Sequence, residues 1–120
     1  MKIAVTSTGK TKESPADPRF GRARYFCILD TDTNEFEVVD NLISVNAPQG
    51  AGIQAAETII DKGAKILITG HCGPKAFRVL QGAGVVVYTG ASASVEEELN
   101  RFTKGELTKA HGPDVEGHWA

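Results

Sequence analysis

Ala64-Lys65-Ile66-Leu67-Ile68-Thr69-Gly70-His71-Cys72-Gly73-Pro74 is the stretch on which the reading of the fold turns. Ile66, Leu67 and Ile68 are consecutive and apolar, without the polar alternation of a half-exposed strand, so the strand they predict is covered on both faces. Gly70 and Gly73 interrupt it. Pro74 lacks a backbone N–H and has its φ already near the helical value, which suits the first position of a helix. Ala76, Phe77 and Leu80 then recur at helical spacing, Gly82-Ala83-Gly84 closes the segment, and Val85-Val86-Val87-Tyr88 is apolar again. Strand, helix and strand in that order predict two parallel strands with the helix crossing over one face of their sheet.

Upstream, Asn46-Ala47-Pro48-Gln49-Gly50 breaks the chain before a helix over residues 50–62. Ile53, Ala56 and Ile60 fall on one face of it, with Ile59 beside them, and Gly63 is placed for a left-handed helix end. Residues 25–30 and 35–39 read as strands joined at Asp32-Thr33-Asn34, a hairpin. Phe36 and Val38 alternate with Glu35 and Glu37, so the second of these strands is expected at an exposed or edge position. Residues 2–6 form an opening strand. Downstream, Ser94 and Glu97 have the spacing of a capping box, and Val95, Leu99 and Phe102 make the buried stripe of a last helix. Glu96, Glu97 and Glu98 fall in its first turn, where exposed acids complement the helix dipole.

The fold class is therefore α/β, with a mixed, mostly five-stranded sheet flanked by helices. One domain spans residues 1–103. Residues 104–120 are expected as a loosely ordered tail, with His111 and His118 in solvent. At 120 residues, 41% apolar and a formal charge of −2, the chain can form an ordinary core and offers no basic face for a long polyanion such as nucleic acid. Two cysteines are no disulfide scaffold. With neither a signal-peptide core nor a long apolar run, the expectation is a cytoplasmic protein without membrane contact.

In such sheets ligands gather beyond the C-terminal strand ends. Here those ends lead into Ser7 to Gly9, Gly70 to Gly73 and Thr89 to Ala93. Backbone N–H groups at the Gly73-Pro74 helix start would favour an anion. His71 and Cys72 are soft groups in that turn and the candidate metal ligands; alternatively the histidine is solvated and the cysteine packs. Cys27, inside an apolar strand, reads as core. Residues 7–24 lack periodicity and carry Lys10, Lys12, Arg19, Arg22 and Arg24, which either line an anion site or face solvent. In Phe20-Gly21-Arg22 the aromatic would anchor the loop while the arginine faces a ligand. No zinc motif, phosphate loop or catalytic triad is present, and Asp30 and Asp32 sit at the hairpin, so no enzyme is expected.

Residues 2–9, Phe20-Gly21-Arg22-Ala23, and Thr69-Gly70-His71-Cys72-Gly73-Pro74-Lys75-Ala76-Phe77 with Leu80 and Gly84 resemble the NifX/NifB-type dinitrogenase iron-molybdenum cofactor biosynthesis family over residues 1–103. The resemblance implies a ribonuclease-H-like fold without nuclease residues. It also implies binding or carriage of an anionic, molybdenum-containing metal–sulfur cluster; in the small stand-alone forms this is a molybdenum–copper–sulfide cluster held non-covalently. Family carriers often place a histidine in the loop before the first helix, and residues 46–50 have none. That argues against a nitrogenase-cofactor role and leaves a non-covalent cluster untouched. The expected site combines Lys10, Arg19 and Arg22 for charge, Gly21, Gly70, His71, Cys72, Gly73 and Pro74 for close backbone approach, and Phe20 and Ile53 as apolar walls. The alternatives are a cofactor-free module partnering an ATPase or cofactor-assembly protein, and a small enzyme acting on a phosphometabolite.

Overall fold

The structure is a computed structural model that describes residues 1–41 and 50–112. The break at 46–49 and the end of the tail, with His118, lie outside the described residues. The strands are β1 (Lys2–Ser7), β2 (Tyr25–Asp30), β3 (Phe36–Asp40), β4 (Ala64–Ile68), β5 (Val86–Thr89) and β6 (Thr108–Lys109). The helices are α1 (Ala51–Asp61), α2 (Pro74–Gly82) and α3 (Val95–Thr103). The sheet order is β3-β2-β1-β4-β5-β6. β1, β4 and β5 are parallel; β2 and β3 form the antiparallel hairpin on one side, and β6 pairs antiparallel with β5 on the other.

The mixed α/β sheet agrees with expectation, and β3 is the edge strand its alternation predicted. The sheet has six strands rather than five. The sixth falls within the stretch expected to be a loose tail. Two residues of backbone pairing, continued by Ala110 N–H donating to Val87 O at 2.8 Å, attach this segment without any apolar pattern. Leu107 and Ala110 then lean against opposite faces of the sheet.

Both faces carry a core. α1 and α2 cover one, packing Ala55, Ala56, Ile59, Phe77 and Leu80 onto Phe26, Ile28, Leu67 and Val87. α3 covers the other with Val95 and Leu99 on Ile3, Val5, Cys27, Ile66 and Ile68. Each such large side chain removed from water contributes about 1.5–3 kcal/mol. On α1 the buried face is Gly52, Ala55, Ala56 and Ile59, while Ile53 and Ile60 flank it half-buried, a turn of the stripe away from the predicted one. Small residues at the contact let the helix sit close to its neighbours, and the bulky isoleucines reach around its sides. Gly63 ends α1 at φ 83°, as a left-handed terminus requires. The hairpin turn is held by Asp30, which accepts from the Asp32 N–H at 2.9 Å; that bond is the main cause of a carboxyl pKa below the ordinary aspartate value. Among the described residues no helix is long and apolar enough to cross a membrane.

Candidate functional site

β1 and β4 lie side by side, yet the chain leaves β1 toward β2 and leaves β4 toward β5. Connections diverging from adjacent parallel strands open a crevice at their C-terminal ends, the usual ligand position in such sheets. The segment between β1 and β2 crosses this crevice. Asp17 N–H donates to Thr6 O at 2.8 Å, and the Thr6 hydroxyl donates to Asp17 O at 2.7 Å. Thr69 Oγ1, at the end of β4, lies 2.9 Å from Thr6 Oγ1. Two residues beyond Thr69, His71 N–H donates to Pro18 O at 2.7 Å, and Phe20 N–H donates to His71 O at 3.2 Å. Arg19 and His71 thus form a parallel bridge, and Ala16 N–H is tied to Ala93 O at 2.8 Å. The long basic loop has neither helix nor regular strand, and it is pinned to the body rather than loose in solvent.

Gly70 permits this contact. A β-carbon there would stand 2.5 Å from Pro18 Cα and 2.6 Å from Pro18 O, so only a residue without one lets the two backbones meet. The His71 N–H is taken by Pro18. What remains anion-favouring in this turn is the start of α2, where Gly73 is the N-cap, Pro74 follows and no side chain caps the helix.

The candidate residues separate into two groups. Arg19 pairs with His71, whose carbonyl accepts the Phe20 N–H, and Gly21 and Arg22 follow in the turn closed by Ala23 N–H on Phe20 O. Phe20 is fully buried against Phe26, with ring centroids 5.7 Å apart, so it anchors the loop and forms no open wall. Gly21 is buried; its carbonyl and that of Ala23 accept the Asn41 amide. Arg22 and His71 are half-exposed, and each has an interaction partner in the fold. Cys72 is buried in the α1–α2 core, its thiol 3.8 Å from Gly73 O, which is the packing alternative of the two open for it. Ile53 stands half-buried in the first turn of α1, outside both core clusters.

Lys10 lies on Tyr25, which pairs with Ser7 at the C-terminal end of β1. Its ammonium sits 5.6 Å from the Tyr25 ring centroid, and Arg24 stacks on the same ring at 4.6 Å while bonding Asp40 at 2.7 Å. Lys12 lies over Phe36. These cations cover ring faces on β2 and β3 by cation–π contact. Cys27 lies beneath the α3 side, and burial is the main cause of its raised thiol pKa.

Two carboxylates went unpredicted. Asp17 is buried and its Oδ1 accepts the Arg19 N–H at 3.0 Å. The signal was present: an aspartate followed by proline, two residues ahead of its partner, has Asx-turn chemistry. Glu98, expected in solvent with its two neighbours, is fully buried and accepts the N–H groups of Ser92 and Ala93 at 2.9 and 2.8 Å. It falls one turn from Val95, on the buried stripe itself.

Among the described residues no three His, Cys, Asp or Glu side chains gather to hold a metal ion. The donor set of the crevice consists of guanidinium groups and a helix start. The guanidinium groups and the helix start suit an anion held by charge and hydrogen bonds.

The sequence profile of the dinitrogenase iron-molybdenum cofactor family matches residues 1–105. An uncharacterized protein of Methanocaldococcus jannaschii is 32% identical over 112 residues, 91% of each chain. The apo form of the orange protein from Desulfovibrio gigas superposes with a TM-score of 0.92 at 42% identity, covering 95% of this chain and 96% of that one. A Thermotoga protein provisionally assigned to NifB superposes with a TM-score of 0.85 at 34% identity, covering 97% and 98%.

Proposed function

The chain belongs to the dinitrogenase iron-molybdenum cofactor family, and from that premise we propose that it binds and carries an anionic metal–sulfur cluster without catalysing a reaction. The cargo is molybdenum-containing, with molybdenum–copper–sulfide as its specific form, and it is held non-covalently. It rests at the C-terminal end of β1 and β4. Arg19 and Arg22 supply charge, the start of α2 supplies N–H groups, and Ile53 supplies an apolar edge.

The observation that carries this reading is the pairing of the Arg19–Arg22 segment with His71. Two backbone hydrogen bonds and the buried Phe20 fix a basic segment beside an uncapped helix start, at the divergence of β1 and β4. Guanidinium groups offer several N–H donors in a rigid plane, which matches the many sulfide acceptors of a compact anion. Partial exclusion of water strengthens each of those contacts.

Titrating the metal-free protein with tetrathiomolybdate and copper(I) tests the reading. Charge-transfer absorption is expected at a defined stoichiometry, and Arg22→Ala is expected to weaken binding about tenfold, the loss of one charge-assisted hydrogen bond. Absence of that absorption with the unaltered protein overturns it.

A further inference from the structure

Asp17 is a charged group in an unexpected place. It sits at the crevice proposed to hold an anion, with its side chain only 7% exposed. Its main chain cannot shift easily, because Thr6 holds both its N–H and its carbonyl and Ala93 holds the residue before it. Among the described residues its carboxylate contacts Arg19 alone. Oδ1 accepts the Arg19 N–H at 3.0 Å and lies 3.8 Å from Arg19 Nε.

The turn does not require this charge. An amide oxygen at the same position would accept the Arg19 N–H equally well, as asparagine does in the same class of turn. A buried carboxylate carries a desolvation cost that an amide avoids. The carboxylate has one evident electrostatic partner, the Arg19 guanidinium, whose side chain is 51% exposed and so can reorient while Asp17 cannot.

We propose that Asp17 competes with the bound cluster for Arg19 and thereby sets the affinity of the site. In the empty protein Arg19 leans on Asp17. When an anion enters, the guanidinium swings toward it and its pairing with Asp17 is given up. The loaded state is weakened, so a carrier can surrender its cargo to an acceptor. The proposal rests on the cluster-carrying reading above.

Absorbance titration of the full chain with tetrathiomolybdate at fixed ionic strength tests it. Asp17→Asn keeps the turn acceptor and removes the charge, so it is expected to bind about three- to tenfold tighter than the unaltered protein. That gain is expected to vanish when Arg19→Ala is added, because the competition needs both partners. A gain that persists in the Arg19→Ala background is simple removal of a like charge and overturns the proposal. Equal or weaker binding by a folded Asp17→Asn protein also overturns it. Independently of any variant, the Arg19 Nε–Hε resonance of the unaltered protein is expected to shift on saturation with tetrathiomolybdate, and an unmoved resonance overturns the proposal. Failure of the unaltered protein to bind tetrathiomolybdate overturns this proposal, and the function reading falls with it only if tetrathiomolybdate and copper(I) together also give no absorption.

Discussion

A β-carbon at Gly70 would fall inside the contact radius of Pro18 Cα, and both partners of that contact are backbone, which has little room to retreat. Gly70→Ala is therefore expected to push the 15–20 segment off the strand ends. We expect a loss of about 1–3 kcal/mol in urea unfolding, the usual scale of overpacking, with weaker tetrathiomolybdate binding in the same protein. A variant with unchanged stability and affinity would show that the close approach is not needed. Gly70, Gly73 and Pro74 were legible as a strand–helix junction because each carries a backbone constraint of its own. Asp17 was less legible. Its Asx-turn role is local and readable, while its place in the fold depends on backbone and hydroxyl bonds with Thr6 on another element.

At the level of elements, α3 shows how one side chain fastens a helix to the site. Its capping box is formed as the Ser94 and Glu97 spacing predicted. Glu98 goes further: it takes the N–H groups of Ser92 and Ala93 and pairs with Arg101 at 3.2 Å. Ala93 in turn accepts from Ala16, so the helix start and the crevice loop form one assembly. Glu98→Ala removes a fully buried carboxylate that accepts from Ser92, Ala93 and Arg101, and is expected to cost about 3 kcal/mol in chemical denaturation. The exposed neighbour variant Glu96→Ala is expected within about 0.5 kcal/mol of the unaltered protein. Equal effects at the two positions would sink this account. The three glutamates are consecutive, and acids are expected in any first helical turn, so composition hid the one that turns inward. β6 was hidden for a related reason, since two residues of edge pairing leave no periodicity to read.

Across the whole molecule, the sheet separates two cores and buries one cysteine in each. Cys27 lies under α3 and Cys72 under α1 and α2, so neither thiol can reach solvent without disrupting packing on its own face. Burial also pushes the Cys27 thiol up, away from the reactive thiolate. In the native protein both are expected to react with Ellman's reagent only as fast as the chain unfolds, and to react at once in denaturant. Rapid labelling of Cys72 in native buffer would mean that the turn before α2 opens.

The amino-acid sequence by itself determined the order of the first five strands and of α1, α2 and α3 among them, the hairpin, the ends of α1 and α2, the cap of α3 and the family. Each follows from short-range constraints: periodic apolar residues, a missing N–H, a missing β-carbon, a side chain that reaches three residues along. Only the tertiary structure decided that Lys10 covers Tyr25 while Arg19 lies beside His71, that Phe20 anchors the loop from within, and that Asp17 and Glu98 are buried. Those outcomes rest on backbone pairings between distant segments, such as Pro18 with His71 and Ala16 with Ala93. Every residue carries the same N–H and C=O groups, so which of them pair is settled by how the strands and helices assemble.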